Sequence, residues 1–307
     1  MSCMRRLAAS LLLALTVTVP ASTQTPAPTF FCPMHPHVRM HGAGPCPLCR
    51  MPLVPADALD ARDYRLEMTV TPNPPAAGQP FRLRLTVRQP DTGDLVRDFA
   101  IVHERPYHLF VIGHDLQHYA HVHPEPQPDG SFALDVTLPR PGYYKVFSDF
   151  LPTGGTPQVI GRSIVTRGFT GDLASTAARL VPDRTFAKTA GGVSLELQLP
   201  ADGLMAGRDE KFVYRLTDAS TGAPVRDLEP YLGAWGHSLI MSEDTLSFVH
   251  AHPIELLPEG ATTGGGPTLT FTGLLPKAGR YRIWTQIKRG GEVFTVPFTV
   301  DVRPSTS

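Results

Sequence analysis

Neither sign of charge is in excess: lysine plus arginine and aspartate plus glutamate each total 28 in 307 residues. That balance leaves no bulk basic surface to draw in a polyanion by counterion release, and argues against nucleic acid as a partner. Long apolar runs are scarce. The one near the start, residues 7–19, follows Arg5 and Arg6 and leads into Val19-Pro20-Ala21, the pattern of a cleaved secretory signal. It falls well short of the roughly 20 apolar residues a bilayer span needs, and nothing later in the chain is longer. The expectation is an exported bacterial protein, periplasmic or secreted, starting near Ser22 with no membrane span once residues 1–21 are removed. Catalytic signatures are missing too. There is no Gly-x-Ser-x-Gly elbow, His-Glu-x-x-His pair, phosphate loop or dinucleotide glycine fingerprint, and no carboxylate pair that sequence alone brings together. The reading is of a protein that is not an enzyme.

Cysteine is sparse, and its number is odd where it matters. Removing Cys3 with the signal leaves Cys32, Cys46 and Cys49, which disulfides alone cannot satisfy in an oxidising compartment. The spacing is Cys32-x-x-His35, ten residues, then Cys46-x-x-Cys49: two ligand-bearing knuckles able to close a tetrahedral thiolate and imidazole site. Pro33, Pro36, Pro45 and Pro47 stiffen the turns, and so few apolar residues surround them that a bound metal has to supply the folding energy. The plainer alternative is a strained Cys46–Cys49 disulfide with Cys32 free, and His37 and His41 as ordinary exposed residues. The segments CPMHP and GPCPLCRMPLVP together resemble the small heavy-metal-binding domain found at the ends of metal-efflux adaptors and metal-transporting P-type ATPases. The resemblance covers residues 31–55 and implies that Cys32, Met34, His35, Cys46, Cys49 and Met51 associate with metal. Thioether and thiolate donors favour a copper(I) or silver ion, whereas three thiolates and an imidazole suit a zinc ion equally well. Arg50 stands where that family usually has glycine, which puts the second turn in doubt.

Behind this segment the sequence matches itself. Leu66 and Leu195, Gly78 and Gly207, Gly93 and Gly222, and the Val-Arg-Asp triplets at Val96 and Val225 are all offset by 129 positions. The offset becomes 137 at Gly142 and Gly279, which places an inserted surface loop at residues 259–266. Proline (32) and glycine (27) punctuate short alternating runs such as FRLRLTV, YHLFVI, FALDVTL and YYKVFSDF, the signature of antiparallel strands. The expected fold is all-β: two tandem immunoglobulin-like or cupredoxin-like sandwiches, residues 61–165 and 193–303, joined by a linker at 166–192 and preceded by the module at 22–60.

All twelve histidines fall into three groups, one of them in the module. In the first sandwich, a hairpin turning at residues 113–116 sets His108 opposite His121 if paired residues sum to 229, with His123 on the same sheet face. In the second, a sum of 487 sets His237 opposite His250, beside His252. Three imidazoles on one face can ligate copper(II) or zinc. Equally, neutral imidazoles ending a strand can simply hydrogen-bond to backbone, Asp149 or Gln286. His103, His114 and His118 have no histidine counterparts and read as solvated or accessory. These sandwiches also resemble β-modules of bacterial secreted proteins carrying HxHP motifs. The whole reads as a periplasmic heavy-metal-binding protein in metal resistance or trafficking, whose partners are metal ions and an envelope efflux or metal-trafficking protein. Two other readings stand beside it: an envelope protein-binding module with a structural zinc cap, and a copper-dependent oxidoreductase.

Overall fold

A computed structural model describes residues 29–33, 35, 37–56 and 63–305. The proposed signal and Met34 lie outside the described residues. The module contributes β1 (Thr29–Phe31), β2 (Arg39–Met40) and β3 (Val54–Ala56), paired in the order β2-β1-β3. The first sandwich holds β4 (Arg65–Thr71), β5 (Pro80–Arg88), β6 (Tyr107–Gly113), β7 (Tyr119–Val122), β8 (Glu125–Pro126), β9 (Phe132–Thr137), β10 (Tyr143–Phe150) and β11 (Gln158–Val165). A single turn of helix, α1 (Leu173–Thr176), capped by the Asp172 carboxylate, follows. The second sandwich comprises β12 (Ala187–Ala190), β13 (Val193–Gln198), β14 (Leu204–Met205), β15 (Asp209–Asp218), β16 (His237–Ser242), β17 (Phe248–Ala251), β18 (Thr268–Leu274), β19 (Gly279–Arg289) and β20 (Glu292–Arg303).

The all-β architecture follows from period-two patterning. In β5, Phe81, Leu83, Leu85 and Val87 point inward while Arg82 and Arg84 face water, and β15 alternates in the same way around Phe212, Tyr214 and Leu216. Sheet β4-β5-β9-β8 packs on β11-β10-β6-β7, and β12-β13-β15-β18 packs on β14-β20-β19-β16-β17, so corresponding strands follow the same order in both sandwiches. Among the described residues every strand pairing is antiparallel except the short β14–β20 contact, and an isolated bridge between Ala76 and Arg167 is also parallel. Residues 259–264 are mostly exposed, as the inserted loop requires, and Gly265 closes it buried against Trp235. The end of the segment read as a linker is not a connection: Ala187–Ala190 pairs with β13 as an edge strand.

Two strands break the alternation, and they set the relation between the sandwiches. All seven residues of β6 and all six of β16 are buried. One face of β6 (Tyr107, Leu109, Val111) fills its own core; the other (Phe110, Ile112) meets Leu239, Met241 and Trp284 of the second sandwich in a separate apolar cluster closed by Ala178 and Leu180 from the linker. The contacts come in reciprocal pairs. Phe147 packs on Phe248 with ring centres 5.3 Å apart, and Trp284 stacks on Tyr119 at 4.9 Å, each pair joining the β10 or β19 position of one sandwich to the β7 or β17 position of the other. The seam is therefore self-complementary, like the two-fold interface of a homodimer.

The hairpins are displaced from the register expected. Phe110 pairs with His121 and Leu239 with His250, so partners sum to 231 and 489 rather than 229 and 487. A slip of two residues leaves every side chain on its original face, which is why the histidines still converge.

The β12–β13 connection is a two-residue hairpin, Gly191-Gly192, with φ of 55° and 72°, the conformation in which glycine is favoured at both positions. A Cβ at Gly191 would lie 2.2 Å from the Phe294 ring, whereas one at Gly192 would meet nothing. Gly191→Ala is accordingly expected to cost about 1–3 kcal/mol more than Gly192→Ala, because only the former adds overpacking to backbone strain. Paired thermal melts check this; equal melting temperatures would contradict it.

Candidate metal centres

In the module, Cys32 leaves β1 into a tight turn in which Val38 N–H donates to His35 C=O (2.8 Å). The second knuckle is closed by Arg50 N–H to Cys46 C=O (2.8 Å) and Cys46 N–H to Met51 C=O (2.7 Å). Arg50 does not remove this turn: it adopts the left-handed conformation itself, at φ 63°, and carries the strain that glycine would avoid.

The knuckles bring Cys32, His35, Cys46 and Cys49 together, all buried, with one ligand atom from each lying within 4.8 Å of the others. Cys32 Sγ is 3.5 Å from Cys49 Sγ and 3.6 Å from His35 Nδ1, and Cys46 Sγ is 3.8 Å from the same nitrogen. A sulfur separation of 3.5 Å is far beyond the ~2.05 Å of a disulfide and close to the spacing of thiolates on one tetrahedral ion. The three cysteines are free thiols, so the disulfide alternative is set aside. His35 turns Nδ1 to the sulfurs and contacts Thr272 Oγ1 through Nε2 (3.1 Å), the outer contact that orients a ligating imidazole. The Cys32 thiol is pushed up to about 12, first by its hydrogen bond with Cys49 and then by burial, and burial also raises Cys46. Without a cation these thiols stay protonated, and an ion entering the site displaces their protons.

Met51 packs on the cysteines but aims its sulfur at His103 Nε2, 3.1 Å away. His37 contacts Asp209 (3.2 Å), and His41 is exposed.

Each sandwich carries a second cluster. His108, His121 and His123 converge, as do His237, His250 and His252. In the first, His108 Nδ1 lies 3.1 Å from both His121 Nε2 and His123 Nε2; in the second, His237 Nδ1 lies 3.4 Å from His250 Nε2 and 2.6 Å from His252 Nε2. The two clusters do not lie on separate surfaces. They face each other at one end of the apolar seam, with His121 and His250 ring centres 5.4 Å apart and His108 and His250 5.3 Å apart. Burial, followed by the neighbouring imidazoles, holds His121, His237 and His252 well below the ordinary histidine range, and His123 falls to about 3. Asp149 is pushed up to about 6 by burial.

His103 joins this group: it rests in a turn at φ 49° and stacks on His252 with centres 3.3 Å apart. His114 and His118 do not. His114 reaches the Leu173 carbonyl near α1, and His118 packs edge-on against Tyr144.

Residues 29–56 match the heavy metal binding domain. Residues 60–161 and 188–304, well over half the chain, match the family described as a domain of unknown function, DUF8832. The chain belongs to the DUF8832 family. No curated protein matches it. Among solved structures, this DUF8832 chain is similar to a membrane-anchored protein from Corynebacterium diphtheriae (11% identity, 82% of this chain and 60% of that one, TM-score 0.24). It is also similar to a Salmonella alpha-2-macroglobulin mutant (13%, 80% and 16%, 0.24) and to the Yersinia pseudotuberculosis adhesin InvE (10%, 78% and 60%, 0.23). The chain spans less than two thirds of each of them, and likeness at these TM-scores does not bear on function.

Sequence reasoning on the DUF8832 chain left His103 as solvated or accessory, because its counterpart is Leu232, and did not foresee that Asp149 and Gln286 act across the seam. A signal for the seam was present: YHLFVI and HSLIM are nearly continuous apolar runs, the mark of strands buried on both faces. Among the described residues no helix is long and apolar enough to cross a membrane.

Proposed function

We propose that this protein works in the bacterial periplasm, taking up a heavy-metal ion at Cys32, His35, Cys46 and Cys49 in metal resistance or trafficking. The observation that carries this reading is the meeting of four buried, unbridged donors at ligand spacing within the segment matching the heavy metal binding domain. The set accepts zinc tetrahedrally, and its thiolates accept copper(I) or silver(I). We read the module as a carrier rather than a catalyst, since all four donors are protein side chains and an open coordination position is what metal catalysis requires.

A second reading, a structural zinc cap on an envelope-protein-binding pair of sandwiches, is favoured by one contact set. His35 reaches Thr272, and Ile254 of the second sandwich packs against the cysteine cluster. Elemental analysis of protein isolated from its native compartment separates the two: copper or silver supports trafficking, and zinc alone supports the cap. Metal binding itself is tested on anaerobically handled full chain. Changing Cys32, Cys46 and Cys49 to serine is expected to remove one tightly held ion per chain, and unchanged stoichiometry and affinity would overturn the proposal.

A further inference from the structure

The two histidine clusters carry a separate inference, independent of the cysteine module because they share no ligand with it. Hydrogen bonds fix the tautomers. His108 Nε2 faces the Val102 carbonyl (2.9 Å) and His237 Nε2 the Tyr231 carbonyl (2.8 Å); a carbonyl only accepts, so both nitrogens carry hydrogen and both Nδ1 atoms present lone pairs. His250 Nδ1 faces the Asp149 carboxylate (2.9 Å). His121 Nδ1 faces Gln286 Oε1 (3.1 Å), and the Gln286 amide nitrogen donates to Thr295, which leaves Oε1 as the acceptor. His121 Nε2 and His250 Nε2 are therefore lone pairs as well.

Lone pair thus meets lone pair at 3.1 Å between His108 and His121 and at 3.4 Å between His237 and His250, in an apolar, buried setting. Neutral imidazoles so placed repel unless a cation lies between them. A third nitrogen, from His123 or His252, points at each gap, and His252 Nδ1 is a buried polar atom with no partner of its own. Nitrogens about 3 Å apart are also the spacing that three imidazoles take around an ion at ~2.0–2.1 Å.

We propose that the seam is a two-ion centre for nitrogen-preferring divalent transition metals such as zinc or copper(II). One ion is held by His108, His121 and His123 and the other by His237, His250 and His252. The outer hydrogen bonds cross the seam: Asp149 of the first sandwich orients His250 of the second, and Gln286 of the second orients His121 of the first. His108 and His237 are oriented within their own sandwiches, but each cluster lacks the orienting bond of one ligand, His121 or His250, until the sandwiches dock, so loading and docking are coupled. The two sites also differ in charge, one being backed by a carboxylate and the other by an amide.

The test uses the full chain with Cys32, Cys46 and Cys49 changed to serine, dialysed against zinc and analysed for metal. Two zinc ions per chain are expected; none, or one shared ion, overturns the proposal. Crossing is then read in chains retaining a single cluster, with folding checked by circular dichroism. When His237, His250 and His252 are changed to alanine, Gln286→Ala is expected to weaken zinc binding about 10–100-fold and Asp149→Ala to weaken it far less. When His108, His121 and His123 are replaced, the pattern should invert, with Asp149→Asn restoring part of the affinity. Effects confined to each residue's own sandwich, or absent from both, overturn the crossed arrangement. Because the single-cluster chains carry three substitutions, the intact centre is also loaded with copper(II), whose paramagnetic resonance should show three nitrogen ligands per ion; fewer than three argues against the assignment.

Discussion

Stripped of its ion by a chelator, the module is expected to lose amide protection throughout residues 29–56 while both sandwiches keep theirs. The reason is the poverty of its own core. Among the described residues of the module, Leu53, beside Cys32, Cys46 and Cys49, and Phe31 are the large apolar side chains that are buried, and the rest of the cysteine cluster is only partly covered. Burying two such side chains is worth about 3–6 kcal/mol, too little to offset the conformational entropy of ordering well over twenty residues at about 1–2 kcal/mol each. Structural zinc in comparable small modules supplies about 10–16 kcal/mol. Even a few kcal/mol of that difference appears as an exchange increase on the order of 10³-fold, since each 1.4 kcal/mol is tenfold. The amides of Cys32, Val38, Cys46 and Arg50 report it directly, because they close the knuckles. Buried strands β5 and β15 serve as the internal reference. Protection that survives chelation would show that docking through His35–Thr272 and Met51–His103 holds the module without an ion.

Replacing Trp284 by alanine should separate the two sandwiches without unfolding either one. Trp284 is 3% exposed, stacks on Tyr119, and belongs to the seam cluster rather than to either sandwich core. Truncating a buried tryptophan costs about 3–5 kcal/mol, and here nearly all of that loss falls on the interface. Interfaces between domains of one chain resemble transient protein interfaces, so a loss of this size is a large share of what holds them closed. The expected results are a larger radius of gyration in X-ray scattering and a first melting transition lower by at least about 6 °C. Metal binding at the seam should weaken in parallel, since His121 and His250 lose their orienting partners on undocking. A single unshifted transition with an unchanged radius would mean that the tryptophan contributes little to docking.

What could be read from the sequence was local. The four knuckle ligands lie within eighteen positions, so their spacing alone brings them together, and strands such as β5 declare themselves by alternation. The histidine faces were legible through parity: even a register misjudged by two keeps His108, His121 and His123 on one side of the sheet. The seam was signalled only by the apolar runs of β6 and β16, which do not say what covers their second faces. It joins β6 and β10 to β16 and β19 across a segment whose path no periodicity encodes, and the direction in which Asp149 and Gln286 point depends on that path. His103 was left as solvated or accessory for a different reason, since an argument built on matched positions discounts a histidine facing a leucine. Arg50 taught the converse. A residue poorly suited to a turn shows that the turn is strained, not that it is absent.

The doubly buried strand β6 also shapes how the chain reaches this state. The first sandwich has all of its own strands once Val165 has emerged, yet Phe110, Ile112 and Phe147 stay largely uncovered until the linker, β16, β17 and β19 follow. During synthesis, the half-finished molecule therefore presents an oily sheet face whose natural complement is a surface of matching shape. That complement arrives late, on the same polypeptide. A neighbouring nascent chain carries the same complement, so crowded synthesis favours exchange between molecules, and slow delivery of the second half prolongs the interval in which a chaperone has something to hold.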